Sequence, residues 1–331
     1  MFKKLSVLLI CTILIITQAG CISKEPVSKT DFYLNTVCSI EIREMDKSKA
    51  EELIDNAFVE IGRYEGLLSR TIAGTDIYKL NNAAGQQMTV SPETAEVMSI
   101  GYNISKDTNG LFDITVGQLT NLWNFSSESP KVPSSSDVKT AIETIGYKNL
   151  HLHETTASLE NPDTWIDLGA IAKGYIADRV SQYLVDNGVT CGIVDLGGNI
   201  VTIGTKEDGS KWNIGIEAPY SDRTEAIGGV PMENQTLVTS GTYERFFEEN
   251  GKKYHHILDP ATGYPIDSDI VSVSILGDMG SSVYCDGYST TCLLLGTDKA
   301  VDFMKDKKGF EYCILDTDGK IHKSEGFDLQ Q

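Results

Sequence analysis

The sequence predicts an α+β fold, because helical and hairpin patterns are mixed along the chain instead of alternating strictly. Residues 47–68 repeat apolar side chains at helical spacing, which is typical of an amphipathic helix packed on a core. Asn250-Gly251 and Asp318-Gly319 are turn sequences between extended segments, as expected for antiparallel hairpins. With 331 residues, the chain can form one large domain or two modest subdomains.

The first third of the chain is predicted to contain one strand and two helices. Residues 32–42 alternate well enough for a strand, which precedes the helix at 47–68. Residues 69–80 are irregular. Ser91-Pro92 supplies a cap and a first-turn proline for the second helix, which ends at Gly110.

The rest of the chain continues the mixed pattern. The Ser/Pro-rich residues 126–136 form a surface loop, and a short helix at 137–145 is capped by Asp137. Three brief strands follow around Leu150, Ala157 and Trp165. The remaining predicted elements are a helix at 170–187 ended by Gly188, a strand at 191–199 running into a glycine turn, strands at 200–203, 212–216, 235–240 and 271–276, a hairpin at 245–258, and helices at 281–295 and 299–304.

The protein is strongly acidic. Its formal net charge is −19, and Lys3 and Lys4 are the only charged residues among the first twenty, which leaves −21 for the rest. A surface of this sign argues against nucleic acid as a partner, since no basic patch is present to neutralise phosphates. The sequence also lacks a dinucleotide fingerprint and a Walker lysine motif. A polyanionic ligand would therefore need a local countercharge from a few well-placed cations or a metal ion.

The N-terminus has the parts of an export signal. Met-Phe-Lys-Lys precedes an apolar run at residues 5–16, which is shorter than the roughly 20 residues that a membrane-spanning helix needs. Ala19-Gly20-Cys21 is similar to the lipobox of bacterial lipoproteins, in which the cysteine is lipidated and becomes the first residue. We therefore expect a signal peptide at 1–20 and a lipidated tether at 21–30, with the protein anchored on the outer side of the bacterial cytoplasmic membrane. Cleavage that leaves Cys21 free is the alternative.

Residues 165–179 form a candidate ligand site. An apolar strand is predicted to end at Asp167, Gly169 breaks the pattern, and the helix begins at Ala170. Such a junction gathers a carboxylate, free backbone groups and the Lys173 ammonium around one point, which suits a phosphorylated ligand. A plain buried strand-to-helix turn is the alternative.

Asp286 and Thr290 form a candidate metal site. They lie four residues apart on the helix predicted from Ser281, so both oxygen-bearing side chains project from one face. Magnesium takes such hard oxygen ligands, with carbonyls, water and substrate phosphate in its remaining positions. The alternative is an aspartate near a helix N-terminus beside a solvated threonine.

His256 is the candidate general base. The strand that carries it is predicted to end at Asp259-Pro260, and the turn sequence Thr262 to Pro265 follows. A neutral imidazole at the end of a strand beside a turn can reach a site and accept a proton. The alternative is an edge-strand histidine without a chemical role.

Seven short motifs are spread from Phe32 to about Gly296. They are Leu34-Asn35-Thr36, Phe112 to Gly117, Asp167 to Gly174, Asp195 to Asn199, Thr239-Ser240-Gly241, His256 to Pro260 with Thr262 to Pro265, and Asp286 to Thr290. In this combination and order the chain resembles the FAD:protein FMN transferases, the ApbE flavin transferases. It departs from the family in having Leu34-Asn35-Thr36 for Met-Gly-Thr, Thr71 for a frequent aromatic residue, and Cys285-Asp286-Gly287 for Ala-Asp-Ala.

The resemblance implies an ApbE-like fold for residues 31–331, with mixed, mostly antiparallel sheets, packed helices and two intimately joined subdomains. It also implies that FAD is bound by Leu34, Thr71, Leu111, Phe112, Asp113, Asp167, Lys173, His256 and Ile257. Magnesium would be held by Asp286, Thr290, Ser289 and the backbone carbonyl of Ala170. His256 would be the general base.

The implied reaction attaches FMN, taken from FAD, through a phosphoester bond to a threonine or occasionally a serine of an acceptor protein, and releases AMP. Proteins of electron-transfer systems are the acceptors that the resemblance implies. Two alternatives use the same site. An FAD pyrophosphatase would place water where the threonine hydroxyl stands, and a lipoprotein of another class would bind flavin without turnover.

Overall fold

The computed structural model describes residues 25–219 and 225–331. The predicted signal peptide and lipidation site at Cys21 lie outside these described residues. Within the described ranges, no helix combines the length and the apolar character needed to cross a membrane.

Helices and strands alternate irregularly along the chain. In chain order the elements are β1 (Val27–Tyr33), β2 (Thr36–Ile42), α1 (Lys47–Leu68), α2 (Asp76–Asn81), β3 (Met88–Thr89), α3 (Pro92–Asp107), α4 (Gly117–Trp123), α5 (Ser135–Ile142), β4 (Leu150–His153), β5 (Thr156–Leu159), α6 (Ala172–Asp186), β6 (Gly192–Leu196), β7 (Asn199–Ile203), β8 (Trp212–Glu217), β9 (Ala226–Met232), β10 (Gln235–Gly241), β11 (Phe246–Glu249), β12 (Lys252–His255), β13 (Ile270–Asp278), α7 (Ser282–Leu295), α8 (Thr297–Lys305), β14 (Glu311–Asp316) and β15 (Ile321–Lys323).

One eight-stranded sheet organises the fold, in the order β1-β2-β6-β7-β10-β13-β14-β15. All of its neighbouring strands are antiparallel. Three smaller antiparallel sheets are formed by β11-β12, β3-β5-β4 and β8-β9. The predicted α+β class, with mostly antiparallel sheets and packed helices, is therefore confirmed.

The two faces of the main sheet are covered differently. On one face, α1, α3 and α6 bury the largest core, and α7 and α8 bury a second core over β10, β13 and β14. On the opposite face, the β8-β9 ribbon covers a third core. The helix-facing residues of β7 and β10 therefore lie under α6 and α7.

Two hairpin turns lie next to each other at one end of the sheet. Leu34 and Asn35 connect β1 to β2, and Gly197 and Gly198 connect β6 to β7, all four with positive φ. Positive φ at both central residues is the type I′ geometry that suits the right-handed twist of paired strands. A Cβ at Gly197 would lie 2.2 Å from the Thr36 hydroxyl oxygen, so only glycine lets the turns approach this closely.

The N-terminal predictions need three corrections. Residues 32–42 are not one strand but the end of β1 and the whole of β2 around the Leu34-Asn35 turn, because two consecutive left-handed residues reverse the chain. Residues 69–80 are not wholly irregular, since Thr75 caps α2 through the Tyr78 N–H. β1 also begins at Val27, so the sheet includes residues 27–30, which the sequence assigned to the tether.

Other corrections concern the ends of elements. Ser134, not Asp137, caps α5, because its side chain accepts the Asp137 N–H. Trp165 forms only an isolated parallel bridge to Val116 and no strand. α6 begins at Ala172, not Ala170, since residues 169–171 form a turn first. The short strand β3 and the edge strand β9 were not predicted at all.

α6 and α7 cross closely. Asp178 of α6 accepts the N–H groups of Ser282 and Val283 at 2.9 and 3.0 Å, which satisfies the first amides of α7. Burial raises the pKa of Asp178 to about 6, and these two hydrogen bonds oppose the rise. At the crossing, a Cβ on Gly174 would lie 2.3 Å from the Ser282 carbonyl oxygen. The residue at position 174 therefore fixes the distance between the two helices.

We expect Gly174→Ala to destabilise the protein by about 3 kcal/mol, because backbone atoms cannot move aside as a flexible side chain can. Urea unfolding monitored by circular dichroism measures the change. Gly66→Ala in α1 is the matched control, since nothing lies within 4 Å of a Cβ there and alanine favours an exposed helix. Equal stability of the Gly174 variant and the native protein would contradict the close crossing.

Candidate functional site

Polar groups from three distant segments meet at the N-terminus of α6. The Gly174 N–H of α6 donates to Asp286 Oδ2 of α7 at 2.9 Å. The Lys173 ammonium donates to the Gly197 carbonyl, in the turn between β6 and β7, at 3.3 Å. The structure thus brings together two stretches that the sequence singled out separately, the 165–179 junction and the Asp286 helix.

Asp286 is a carboxylate with little access to water. It is 3% exposed, and burial raises its pKa. The Lys173 ammonium, the Gly174 N–H and the Asn199 side chain oppose this rise. A buried carboxylate that has one ammonium nearby and one backbone donor favours further positive charge beside it.

The backbone at the start of α6 presents a carbonyl oxygen. In a continuous helix the Gly174 N–H would donate to the Ala170 carbonyl, four residues earlier. It donates to Asp286 instead, so the Ala170 carbonyl lacks this helical donor. The Gly174 N–H therefore binds the Asp286 carboxylate and leaves the Ala170 carbonyl oxygen without its helical partner.

The two hydroxyl groups predicted to bind metal differ in their surroundings. Ser289 is fully buried, donates to the Asp286 carbonyl at 2.8 Å and shares a 2.8 Å hydrogen bond with Ser240. Its hydroxyl is therefore engaged within the protein. Thr290, one helical turn after Asp286, remains partly exposed. Of the two, Thr290 is the more available ligand.

Asp167 is held by partners that the sequence did not reveal. Its Oδ2 accepts from Arg70 Nε at 2.7 Å and from the Thr120 hydroxyl at 2.6 Å. Its Oδ1 accepts the Gly169 N–H at 2.8 Å, an aspartate turn that shapes the chain before α6. Thr71 follows Arg70 in the same loop and is exposed. The carboxylate thus connects the 69–75 loop, α4 and the entry to α6.

His256 has one ring nitrogen engaged. Its Nδ1 lies 3.2 Å from the Arg245 carbonyl, and because a carbonyl only accepts, Nδ1 carries the proton and Nε2 is left as the acceptor. The side chain keeps some solvent contact, but burial, with the Arg245 charge, lowers the pKa of His256 to about 3. The imidazole is therefore neutral near pH 7.

Two charged residues near this site, Glu244 and Arg245, were not predicted. Glu244 Oε1 accepts the Gly241 N–H at 3.1 Å, and its charge interacts with Lys173, Arg245 and Asp286. Glu244 and Arg245 lie three and four residues after the motif Thr239-Ser240-Gly241. The only available signal was this adjacency to a motif, which by itself assigns no role.

Other predicted flavin contacts lie in the core or along a cavity. Phe112 and Ile257 are 3% and 6% exposed and belong to hydrophobic cores, and Leu111 packs against the second core. Leu34 lies at the tip of the β1-β2 hairpin, where its N–H donates to Glu65 Oε1 at 2.9 Å.

Asp113 is satisfied within the protein. Its carboxylate accepts the N–H and the hydroxyl of Thr115 at 2.8 and 2.6 Å and the Tyr147 N–H at 2.9 Å. Burial raises its pKa, and these bonds oppose the rise. The residue also lines an open cavity together with Lys148 and Ala261. Its carboxylate organises one wall of that cavity.

Comparisons with known proteins agree with these motifs. The sequence model of the ApbE family matches residues 34–314. The chain is 36% identical over 271 residues to a FAD:protein FMN transferase of Klebsiella pneumoniae, covering 81% of this chain and 83% of that protein. It is 29% identical over 318 residues to a FAD:protein FMN transferase of Treponema pallidum, covering 90% and 87%.

Solved structures give the same result. The ApbE protein of Thermotoga maritima superposes with a TM-score of 0.84 at 30% identity, covering 91% of this chain and 97% of that one. The flavin transferase ApbE of Vibrio cholerae superposes with a TM-score of 0.81 at 26% identity, covering 92% and 98%. The resemblance drawn from the seven motifs is confirmed, and this chain belongs to the ApbE family.

Proposed function

We propose that this protein is an enzyme that transfers FMN from FAD to a threonine or serine hydroxyl of an acceptor protein and releases AMP. The observation that carries the proposal is the buried Asp286 carboxylate, joined to the N-terminus of α6 beside Lys173. This arrangement combines oxygen ligands for a cation with an ammonium, in a protein of net charge −19. The names of its relatives, FAD:protein FMN transferase, support the same reaction.

The residues present fit a magnesium ion. No three His, Cys, Asp or Glu side chains form a metal cluster among the described residues, so a cation here would depend on one carboxylate and neutral oxygens. Magnesium suits such a set, since it is commonly bound by one or two carboxylates, water and substrate phosphate. Asp286, Thr290 and the Ala170 carbonyl would hold it. Ser289 would support Asp286 through its hydrogen bond to the Asp286 backbone carbonyl. When bound, it would neutralise charge on the pyrophosphate of FAD.

Lys173 contributes the protein's own countercharge. Its side chain is partly buried and bonded to the Gly197 carbonyl, so the ammonium is held near the end of α6. The free N–H groups at a helix N-terminus add a partial positive charge. Together these groups favour an anionic pyrophosphate at this position, in spite of the acidic surface.

His256 is suited to receive the proton of the acceptor hydroxyl. In the transfer, the hydroxyl oxygen bonds to the phosphorus of the FMN group, the bond from that phosphorus to AMP breaks, and the hydroxyl proton must be removed. Nε2 of His256 is unprotonated near pH 7, and the Arg245 carbonyl fixes the ring orientation through Nδ1. This residue therefore can hold the proton that the hydroxyl loses.

We further propose where the enzyme acts. The signal-like residues 1–20 and the lipobox around Cys21 support export and a lipid anchor on the outer side of the bacterial cytoplasmic membrane. The acceptor would be a protein of an electron-transfer system. Mass spectrometry of the protein purified from membranes tests the anchor, and an unmodified Cys21 would contradict it.

The main experiment mixes the chain from Ile22 onwards with FAD, magnesium and a flavin-acceptor domain. We expect a fluorescent acceptor band on a denaturing gel that disappears with a chelator. Metal-dependent AMP without a labelled acceptor would indicate FAD hydrolysis instead. Tight FAD binding with neither product would indicate a flavin-binding lipoprotein without turnover.

A further inference from the structure

Asn199 has a buried side chain without a hydrogen-bond partner. It is the first residue of β7 and is 0% exposed. Neither its Nδ2 nor its Oδ1 makes a hydrogen bond of normal geometry to any residue that the structure describes. Burying an unpaired amide destabilises a protein, and a leucine of similar shape would avoid this cost. Natural proteins tolerate such a cost mainly where the polar group takes part in a functional site.

Strand register places this amide under α6 and α7. Asn199 lies opposite Val238 on β10, and opposed residues of paired strands share a face. Val238 belongs to the core beneath α7, and Ser240, two residues further on the same face, bonds to Ser289 of α7. Asn199 thus faces the layer that contains Asp286.

Asp286 is the polar group to which the amide can donate a hydrogen bond. Asp286 Oδ2 is taken by the Gly174 N–H, which leaves the second oxygen for another donor or a cation. The strand register places the Asn199 amide beneath the helix that carries this carboxylate, and the same side chain opposes the rise in the pKa of Asp286. Two residues before Asn199 along the chain, the Gly197 carbonyl accepts a hydrogen bond from Lys173, the neighbour of Gly174 in α6.

We propose that Asn199 is a positioning residue for the metal site, whose Nδ2–H donates to the Asp286 carboxylate and orients it toward the cation. This inference rests on the proposed magnesium site. Carboxylates that bind metals are commonly fixed by such a neighbouring hydrogen bond, and loss of one typically weakens metal binding by about 10- to 100-fold. Asn199 acts through Asp286 and touches no reacting atom.

Calorimetric titration of the full-length protein with MnCl2 alone tests the role, together with the melting temperature without metal. We expect Asn199→Leu to weaken Mn²⁺ binding about 10- to 100-fold while the melting temperature without metal is unchanged or higher. A purely structural amide would instead leave Mn²⁺ binding unchanged, which would overturn the proposal. Thr297→Val is the matched control, since it also removes a buried unpartnered polar atom but lies at the start of α8.

Asn199→Asp separates a donor from a direct ligand. A carboxylate cannot donate to Asp286, so we expect this variant to bind Mn²⁺ more weakly than the native protein. Equal or tighter binding would overturn the donor role. Asp286→Asn serves as the reference. If this variant binds Mn²⁺ as the native protein does, the proposed magnesium site itself is refuted. If it binds Mn²⁺ weakly while Asn199→Leu binds normally, only the positioning role of Asn199 is refuted.

Discussion

Asp286→Asn is expected to reduce metal-dependent FMN transfer by about a thousandfold or more. A bound metal supplies several kcal/mol of charge stabilisation, and each 1.36 kcal/mol corresponds to about a tenfold change in rate. The asparagine oxygen can still accept the Gly174 N–H, so the α6-α7 crossing is preserved while the negative charge is lost. Initial rates of acceptor labelling at several magnesium concentrations measure the effect.

Asp286→Ala should be equally inactive, with an added loss of stability because the Gly174 N–H loses its partner. Comparing the two variants separates the effect of the lost negative charge from the effect of reduced stability. Full activity in the asparagine variant would show that transfer needs neither the Asp286 carboxylate nor the magnesium site proposed around it.

His256→Ala is expected to leave FAD affinity nearly unchanged and to slow transfer by about 10²- to 10⁴-fold, the usual contribution of a general base. The backbone N–H of residue 256 still donates to the Arg245 carbonyl in this variant, so the local chain is retained. Single-turnover labelling and FAD titration measure the two quantities separately. His322→Gln is the control, because that imidazole pairs with Asp316 at the far edge of the sheet.

The pH profile gives an independent check of His256. Because its pKa is lowered to about 3, the imidazole loses its ability to accept a proton only when the pH falls through about 3. An unperturbed histidine would become protonated on acidification through about 6.5. We therefore expect kcat/KM, which reports the free enzyme, to show no His256 limb between pH 5 and 8 in this protein. If the rate fell tenfold per pH unit below about 6.5, and only when His256 is present, that result would contradict the lowered pKa of His256.

Local patterns in the sequence predicted the regular elements well. The helix at 47–68 was predicted with its observed ends, since its apolar repeat and the Asp46 cap are local features. The hairpins at Asn250-Gly251 and Asp318-Gly319 were also confirmed, because positive φ at Asn250, Gly251 and Gly319 is a property of the turn itself. Elements without such signals, such as the short strand β3, were missed.

The site was only partly accessible from the sequence. The motifs named Asp167, Lys173, Asp286 and His256, since their residue types and spacing carry chemical meaning. The partners of Asp167 are Arg70, in a loop 97 residues away, and Thr120, in α4 and 47 residues away, and no local pattern links them. Ser240 and Arg245 likewise gain their roles only from contacts with Ser289 and His256.

By itself the sequence determined the α+β class, the family and the chemical types available to the site, because periodicity, turn residues and motif order are all written along the chain. Only the tertiary structure decided which groups share one place. The Gly174 N–H turns from Ala170 to Asp286 because α6 crosses α7 at glycine contact distance. The Asn199 amide faces the helix layer that carries the same carboxylate because β7 pairs with β10 in one register. Such juxtapositions depend on packing between segments more than 80 residues apart, which no local signal encodes.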